Sequence, residues 1–141
     1  MPVDMSAFNH LTREILGAAI EVHRHLGPGL LESTYLPCLL FELNAARLKF
    51  ATHRAIPIVY KGAALEASYR IDLIVEELVV VELKSVASLT PVFEAQLLTY
   101  LRLTGCPAGL LINFNAPRLM DGVKRLINPR AERTEGIRGS T

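Results

Sequence analysis

Apolar residues recur at three- and four-residue intervals from Phe8 to Leu26: Phe8, Leu11, Ile15, Ala18, Ala19, Val22 and Leu26. One face of a helix collects that set, so the spacing predicts an amphipathic helix. Ser6 stands where an N-cap would, and Gly27-Pro28-Gly29 stops the helix. A second helical pattern runs from about Leu31 to Leu48, with Leu36, Leu39, Leu40, Leu43 and Leu48 on its apolar positions. Pro37 interrupts it, because a proline in a helix interior removes a hydrogen bond and clashes with the preceding turn at a cost of about 3 kcal/mol. The segment therefore kinks there or has its regular part beginning near Thr34.

From Phe50 the period shifts toward two. Ile56-Pro57-Ile58-Val59-Tyr60 reads as a strand, Lys61-Gly62 as a turn, Ala64 to Val75 as a longer strand, and Leu78 to Lys84 as the next, across a turn at Glu76-Glu77. The run Leu78-Val79-Val80-Val81 is apolar on both faces, as a central strand requires. Thr90 as N-cap and Pro91 at the first helical position open a helix that reaches about Leu103 and ends at Gly105. Ala108 to Phe114 is another buried strand, and 115–128 is mixed, a short helix or strand. Residues 1–128 read as one domain. Residues 129–141 hold almost nothing apolar and read as a disordered tail. The order α-α-β-β-β-α-β is that of an α/β sandwich around a mixed sheet.

Composition narrows the function. The chain has 141 residues and 50% of them are hydrophobic, enough for one core without disulfide or metal staples. Fifteen Lys and Arg against 14 Asp and Glu leave a net charge of +1, so bulk charge does not hold this chain to nucleic acid. Aromatic residues make up 6%, too few for a surface that stacks many bases. Cys38 and Cys106 form no metal or redox motif and read as reduced thiols. Mean hydropathy is +0.30, yet no apolar stretch approaches a membrane span and no signal peptide is evident, so a cytoplasmic protein without membrane contact is expected. The four histidines make no HExxH and no i, i+4 pair, and His23 reads as a satisfied interior residue.

Two strand segments carry charge inside apolar surroundings: Tyr69-Arg70-Ile71-Asp72-Leu73-Ile74-Val75 and Val79-Val80-Val81-Glu82-Leu83-Lys84. Charges are rarely buried unless paired or bound to metal. A hairpin turning at Glu77 sets Asp72 opposite Glu82, where like charges destabilise a sheet. A hard, oxygen-seeking cation such as Mg²⁺ or Mn²⁺ between them resolves the conflict. Period two places Lys84 on the face of Glu82. Two acids, a cationic side chain and room for water are the equipment of metal-assisted phosphodiester hydrolysis. The same spacing also fits an exposed acidic pair with Arg70 or Lys84 as partners.

Asp72 followed by Glu82-Leu83-Lys84 resembles the signature of the PD-(D/E)xK nuclease superfamily. Gly29-Leu30-Leu31-Glu32-Ser33-Thr34-Tyr35 resembles the motif of its GxxExxY family, and Gln96-Leu97-Leu98-Thr99-Tyr100 is similar to the Gln-x-x-x-Tyr element of RecB-like members. Ile71 stands where the superfamily name puts Pro. The resemblance implies a restriction-endonuclease-like α/β core, a mixed central sheet flanked by helices. It further implies that Asp72, Glu82, the Leu83 carbonyl and Glu32 hold Mg²⁺ or Mn²⁺, that Glu32, Asp72, Glu82 and Lys84 are catalytic, and that Gln96, Tyr100 and Tyr35 orient substrate. Nucleic acid is the implied partner, DNA before RNA. A homodimer is expected, since one small site cuts one strand. A catalytically weak binding or scaffold subunit, and a hydrolase of another phosphate ester, stay open beside the nuclease.

Overall fold

The computed structural model describes residues 5–129. The side chain of Ser6 and the segment expected as a tail beyond Pro129 lie outside the described residues. Helices α1 (Met5–Leu26) and α2 (Glu32–Ala45) precede strands β1 (Phe50–Tyr60), β2 (Ala63–Val75) and β3 (Val79–Lys84). Helix α3 (Pro91–Thr104), β4 (Ala108–Asn113), a 3₁₀ turn (Leu119–Gly122) and β5 (Val123–Ile127) follow. The strands form one mixed sheet in the order β1-β2-β3-β4-β5, parallel only between β3 and β4. A parallel pair needs a long crossover, and α3 supplies it.

The centre of the sheet, β3 and β4, is buried on both faces. On one, Leu11, Ile15, Ala19 and Val22 of α1 and Tyr35, Leu39 and Leu43 of α2 pack on Val79, Val81 and Leu83 of β3 and on Leu110 and Ile112 of β4. On the other, Leu97, Tyr100 and Leu101 of α3 pack on Val80 and Leu111. Alternate residues of β3 and β4 thus enter opposite cores, which is why these strands are apolar throughout. Among the described residues no helix is long and apolar enough to cross a membrane.

Several boundaries differ from the sequence reading. Helix α2 contains Pro37 without a break. The proline falls in the second turn and removes one main-chain bond, which the complete burial of Tyr35, Leu39 and Leu43 outweighs. Thr90 takes the extended N-cap backbone but makes no side-chain cap bond; Pro91 opens α3, and Gly105 ends it in the left-handed conformation at φ 77°. Strand β1 begins at Phe50 rather than Ile56. The mixed stretch after Asn115, read as a short helix or a strand, holds one of each: a 3₁₀ turn and an edge strand, β5.

The hairpin β1–β2 changes face along its length. Phe50, Leu73 and Val75 belong to the core under α1 and α2, whereas Ile56, Tyr69 and Ile71 belong to the core under α3. Phe50 and Ile56 have the same parity, as do Leu73 and Ile71, so a regular strand would put each pair on one side. The switch falls between the rungs Thr52↔Leu73 and Arg54↔Ile71. The residues between these rungs are His53, left-handed at φ 52°, and Asp72.

Candidate active site

The antiparallel ladder of β2 and β3 runs through Val75↔Val79, Ile74↔Val80 and Leu73↔Val81. At the next position the strands part and side chains replace the rungs. The Asp72 N–H donates to Glu82 Oε1 at 3.2 Å, and the Leu83 N–H donates to Asp72 Oδ2 at 3.0 Å. Strand β3 meanwhile stays bonded to β4 as far as Lys84↔Asn113. The expected juxtaposition of Asp72 and Glu82 is therefore present, at a fork in the sheet.

A tight turn sets this register. Glu76 and Glu77 both have positive φ, 54° and 56°, the conformation a two-residue hairpin turn needs but non-glycine residues resist. The Glu76 N–H bonds the Lys49 carbonyl at 2.8 Å, the Leu78 N–H bonds the Val75 carbonyl at 3.0 Å, and Arg54 grips the Glu77 carboxylate with two 2.8 Å bonds. These contacts hold the strained turn closed.

Glu82 is 4% exposed. Burial, and then the charge of Asp72, push its carboxyl up to about 9, against a smaller opposing pull from Lys84. Without a cation, Glu82 keeps its proton at neutral pH. The protonated Glu82 carboxyl and the Asp72 side chain are hydrogen-bonded to one another. Two carboxyl groups in contact, one of them buried, suit a hard divalent ion, which would restore the charge of Glu82.

Lys84 shares the Glu82 side of β3, toward α3. Its Nζ lies 4.6 Å from the Phe93 ring centroid, and it forms no salt bridge among the described residues. The reading of Lys84 as a mere structural partner of Glu82 is thus not supported by contact. Tyr100 of α3 is buried, meets Tyr69 edge-on at 5.5 Å, and has its phenol pushed up to about 12 by burial and by the charges of Glu82 and Asp72. Gln96 sits one turn earlier, half-buried, with no hydrogen bond among the described residues.

Glu32, the first residue of α2, accepts the Ser85 N–H at 3.3 Å and so reaches the chain just past Lys84. Glu32 and Asp72 line one cleft of about 260 Å³, with Ser33, Leu36, His53 and Leu83. This cleft opens on the α2 side of the fork, and Glu82 and Lys84 stand on the other. Among the described residues no three His, Cys, Asp or Glu side chains converge as a metal cluster; main-chain bonds bring Asp72 and Glu82 together, and Glu32 shares the cleft with Asp72.

Tyr35 corrects an expectation. It is fully buried and stacks on Phe114 with centroids 4.5 Å apart. Its hydroxyl donates to the Gly27 carbonyl at 2.6 Å and accepts the Leu30 N–H at 3.1 Å. Tyr35 therefore pins the Gly27–Leu30 loop that precedes α2, and its ring lies in the core. His23 is satisfied by the Ala116 carbonyl at 2.8 Å, as expected. Two residues were missed. Buried Asn113 accepts from the Val86 and Asn115 N–H groups and donates to the Val86 carbonyl, fixing the turn after Lys84. His53 lines the cleft; its only trace in the sequence is a polar break between Phe50 and Ile56.

Residues 9–126 match the family model of the PD-(D/E)XK nuclease superfamily. No curated protein and no solved structure matches the chain.

Proposed function

The chain belongs to the PD-(D/E)XK nuclease superfamily, whose members are in general phosphodiester-hydrolysing nucleases, and on that premise we propose that it is a metal-dependent nuclease acting at the Asp72–Glu82 fork. Asp72 and Glu82 hold Mg²⁺ or Mn²⁺, with Leu83 and Glu32 completing its surroundings. When bound, the ion supplies charge neutralisation at the phosphate and a more acidic water. Lys84 lies beside Glu82 and forms no salt bridge among the described residues, so its ammonium can orient the attacking water and offset charge growing on the phosphoryl oxygens. Gln96 and Tyr100 share one side of α3 and orient the strand or the acids. Glu32 reaches the cleft from α2, held in aim by Tyr35.

The observation that carries this reading is the buried Glu82 carboxyl, set against Asp72 and in no salt bridge among the described residues. We assign the chain to the GxxExxY branch on Gly29, Glu32 and Tyr35, with DNA ahead of RNA as substrate, action as a homodimer and a cytoplasmic address. The test is cleavage of single-stranded, double-stranded and branched DNA and of RNA with Mg²⁺ or Mn²⁺. Cleavage that vanishes with chelator and in Glu82→Ala supports the reading. Equal cleavage by Glu82→Ala overturns it. A binding or scaffold role is the second reading, favoured by the main-chain bonds that Asp72 and Glu82 also carry.

A further inference from the structure

His53 stands between the rungs Thr52↔Leu73 and Arg54↔Ile71, across from Asp72, at the point where β1 and β2 switch faces. Its φ of 52° is a conformation L-residues avoid, although histidine visits it more often than most. Nothing local requires histidine for that backbone, since glycine would adopt it without strain. Strained non-glycine residues of this kind cluster where a side chain is needed. Here the side chain is exposed, takes no hydrogen bond among the described residues, and borders the cleft that Glu32 and Asp72 also line.

That cleft has an electrostatic difficulty. Its ionisable groups besides His53 are two carboxylates, and the remaining lining is Ser33, Leu36 and Leu83. A phosphodiester entering it needs a donor on the wall opposite the acids. Lys84 serves the α3 side of the fork. On the α2 side, His53 is the one basic residue lining the cleft among the described residues. Resting on the nuclease reading above, we propose that His53 is a substrate-binding residue whose imidazole N–H donates to a phosphate of the bound strand. Its partner is the phosphodiester backbone common to DNA and RNA, not a base.

The test uses the full chain and two variants. His53→Gly removes the imidazole and relieves the backbone; His53→Asn tolerates the backbone but shortens the donor. The probes are fluorescein-labelled single-stranded and double-stranded DNA and RNA oligonucleotides, read by anisotropy without cleavage and by cleavage with Mn²⁺. A hydrogen bond to a charged group is worth roughly one power of ten in affinity, so Kd and KM are expected to rise about ten-fold in His53→Gly with kcat within about two-fold. The melting temperature should hold or rise, which a purely structural histidine would not allow together with weakened binding. A wild type that cleaves, with unchanged Kd and KM in both variants, overturns the assignment and leaves the nuclease reading standing. Binding without cleavage, weakened by His53→Gly, keeps His53 and removes the nuclease. Neither binding nor cleavage by wild type overturns both.

Discussion

The two strand pairs of the sheet that flank its centre are built on opposite rules. Strands β3 and β4 pair through six unbroken rungs, from Val79↔Ala108 to Lys84↔Asn113, and their apolar residues fill a core on each side. Strands β1 and β2 pair over a longer stretch but lose the rung at His53 and Asp72, change face there, and slip again between Pro57 and Val59. The uninterrupted pair supplies packing. The interrupted pair supplies the acid, because a carboxylate can leave the core only where the alternation of faces is suspended. Stability and chemistry are thus divided across β2 and β3, and Glu82 belongs to both.

The largest expected effect tests that double membership. The raised carboxyl of Glu82 means that the native protein keeps a proton which the unfolded chain releases above about pH 4.5. Stability of the metal-free protein should therefore fall as pH rises from about 4.5 to about 9, by several kcal/mol on the order set by the shift. Glu82→Gln cannot ionise and should abolish that slope in denaturant titrations run with chelator. A slope that persists in the variant would place the titrating group elsewhere.

Breaking the uninterrupted pair should be a matter of volume alone. Leu110→Ala, at a fully buried position, is expected to lower unfolding free energy by about 2–5 kcal/mol. Cleavage per folded molecule should stay unchanged, as measured by urea unfolding beside an activity assay at low temperature. At the far end of the same uninterrupted pair, Lys84→Met keeps the apolar stem over Phe93 and removes the charge. Cleavage should drop by about 10²–10³, a barrier increase of about 2.7–4 kcal/mol, with Mn²⁺ affinity and melting temperature retained. Cleavage at the wild-type rate by a folded variant would end that role for Lys84.

The smallest effect sharpens the line between aiming and acting. Tyr35→Phe keeps the stack on Phe114 and strips the loop of two hydrogen bonds. Its cost should be about 1–3 kcal/mol of stability, because two part-buried hydrogen bonds, to the Gly27 carbonyl and from the Leu30 N–H, are lost. KM should move little, and a large KM increase at unchanged stability would return Tyr35 to the substrate.

Most of the fold was legible because burial wrote it into spacing. The helical period of α1, the two-sided apolar runs of β3 and β4, and the Thr90–Gly105 punctuation of α3 each follow from a single buried environment. What escaped lies where two environments meet. Ile71 and Leu73 look like neighbours on one face, yet they enter different cores, and no alternation pattern can announce a face switch made by a left-handed His53. Strand β5 was left open between helix and strand because it sits at the edge, half-covered, with Lys124 and Arg125 exposed. The pairing of Asp72 with Glu82 was readable from turn position and residue count. The contact of Glu32 with the Ser85 N–H was not, since it depends on how the Gly27–Leu30 loop is pinned.

The side-chain rungs at the fork bear on how such a chain can change over generations. Asp72 receives the Leu83 N–H and Glu82 receives the Asp72 N–H, so folding itself selects for oxygen acceptors at both positions. A descendant that gave up cleavage would be held to Asp or Asn at 72 and Glu or Gln at 82, while Lys84, which forms no such bond, would be released to drift. Divergence at the lysine with the acids intact is therefore the mark by which a retired copy of this protein would be told from a working one.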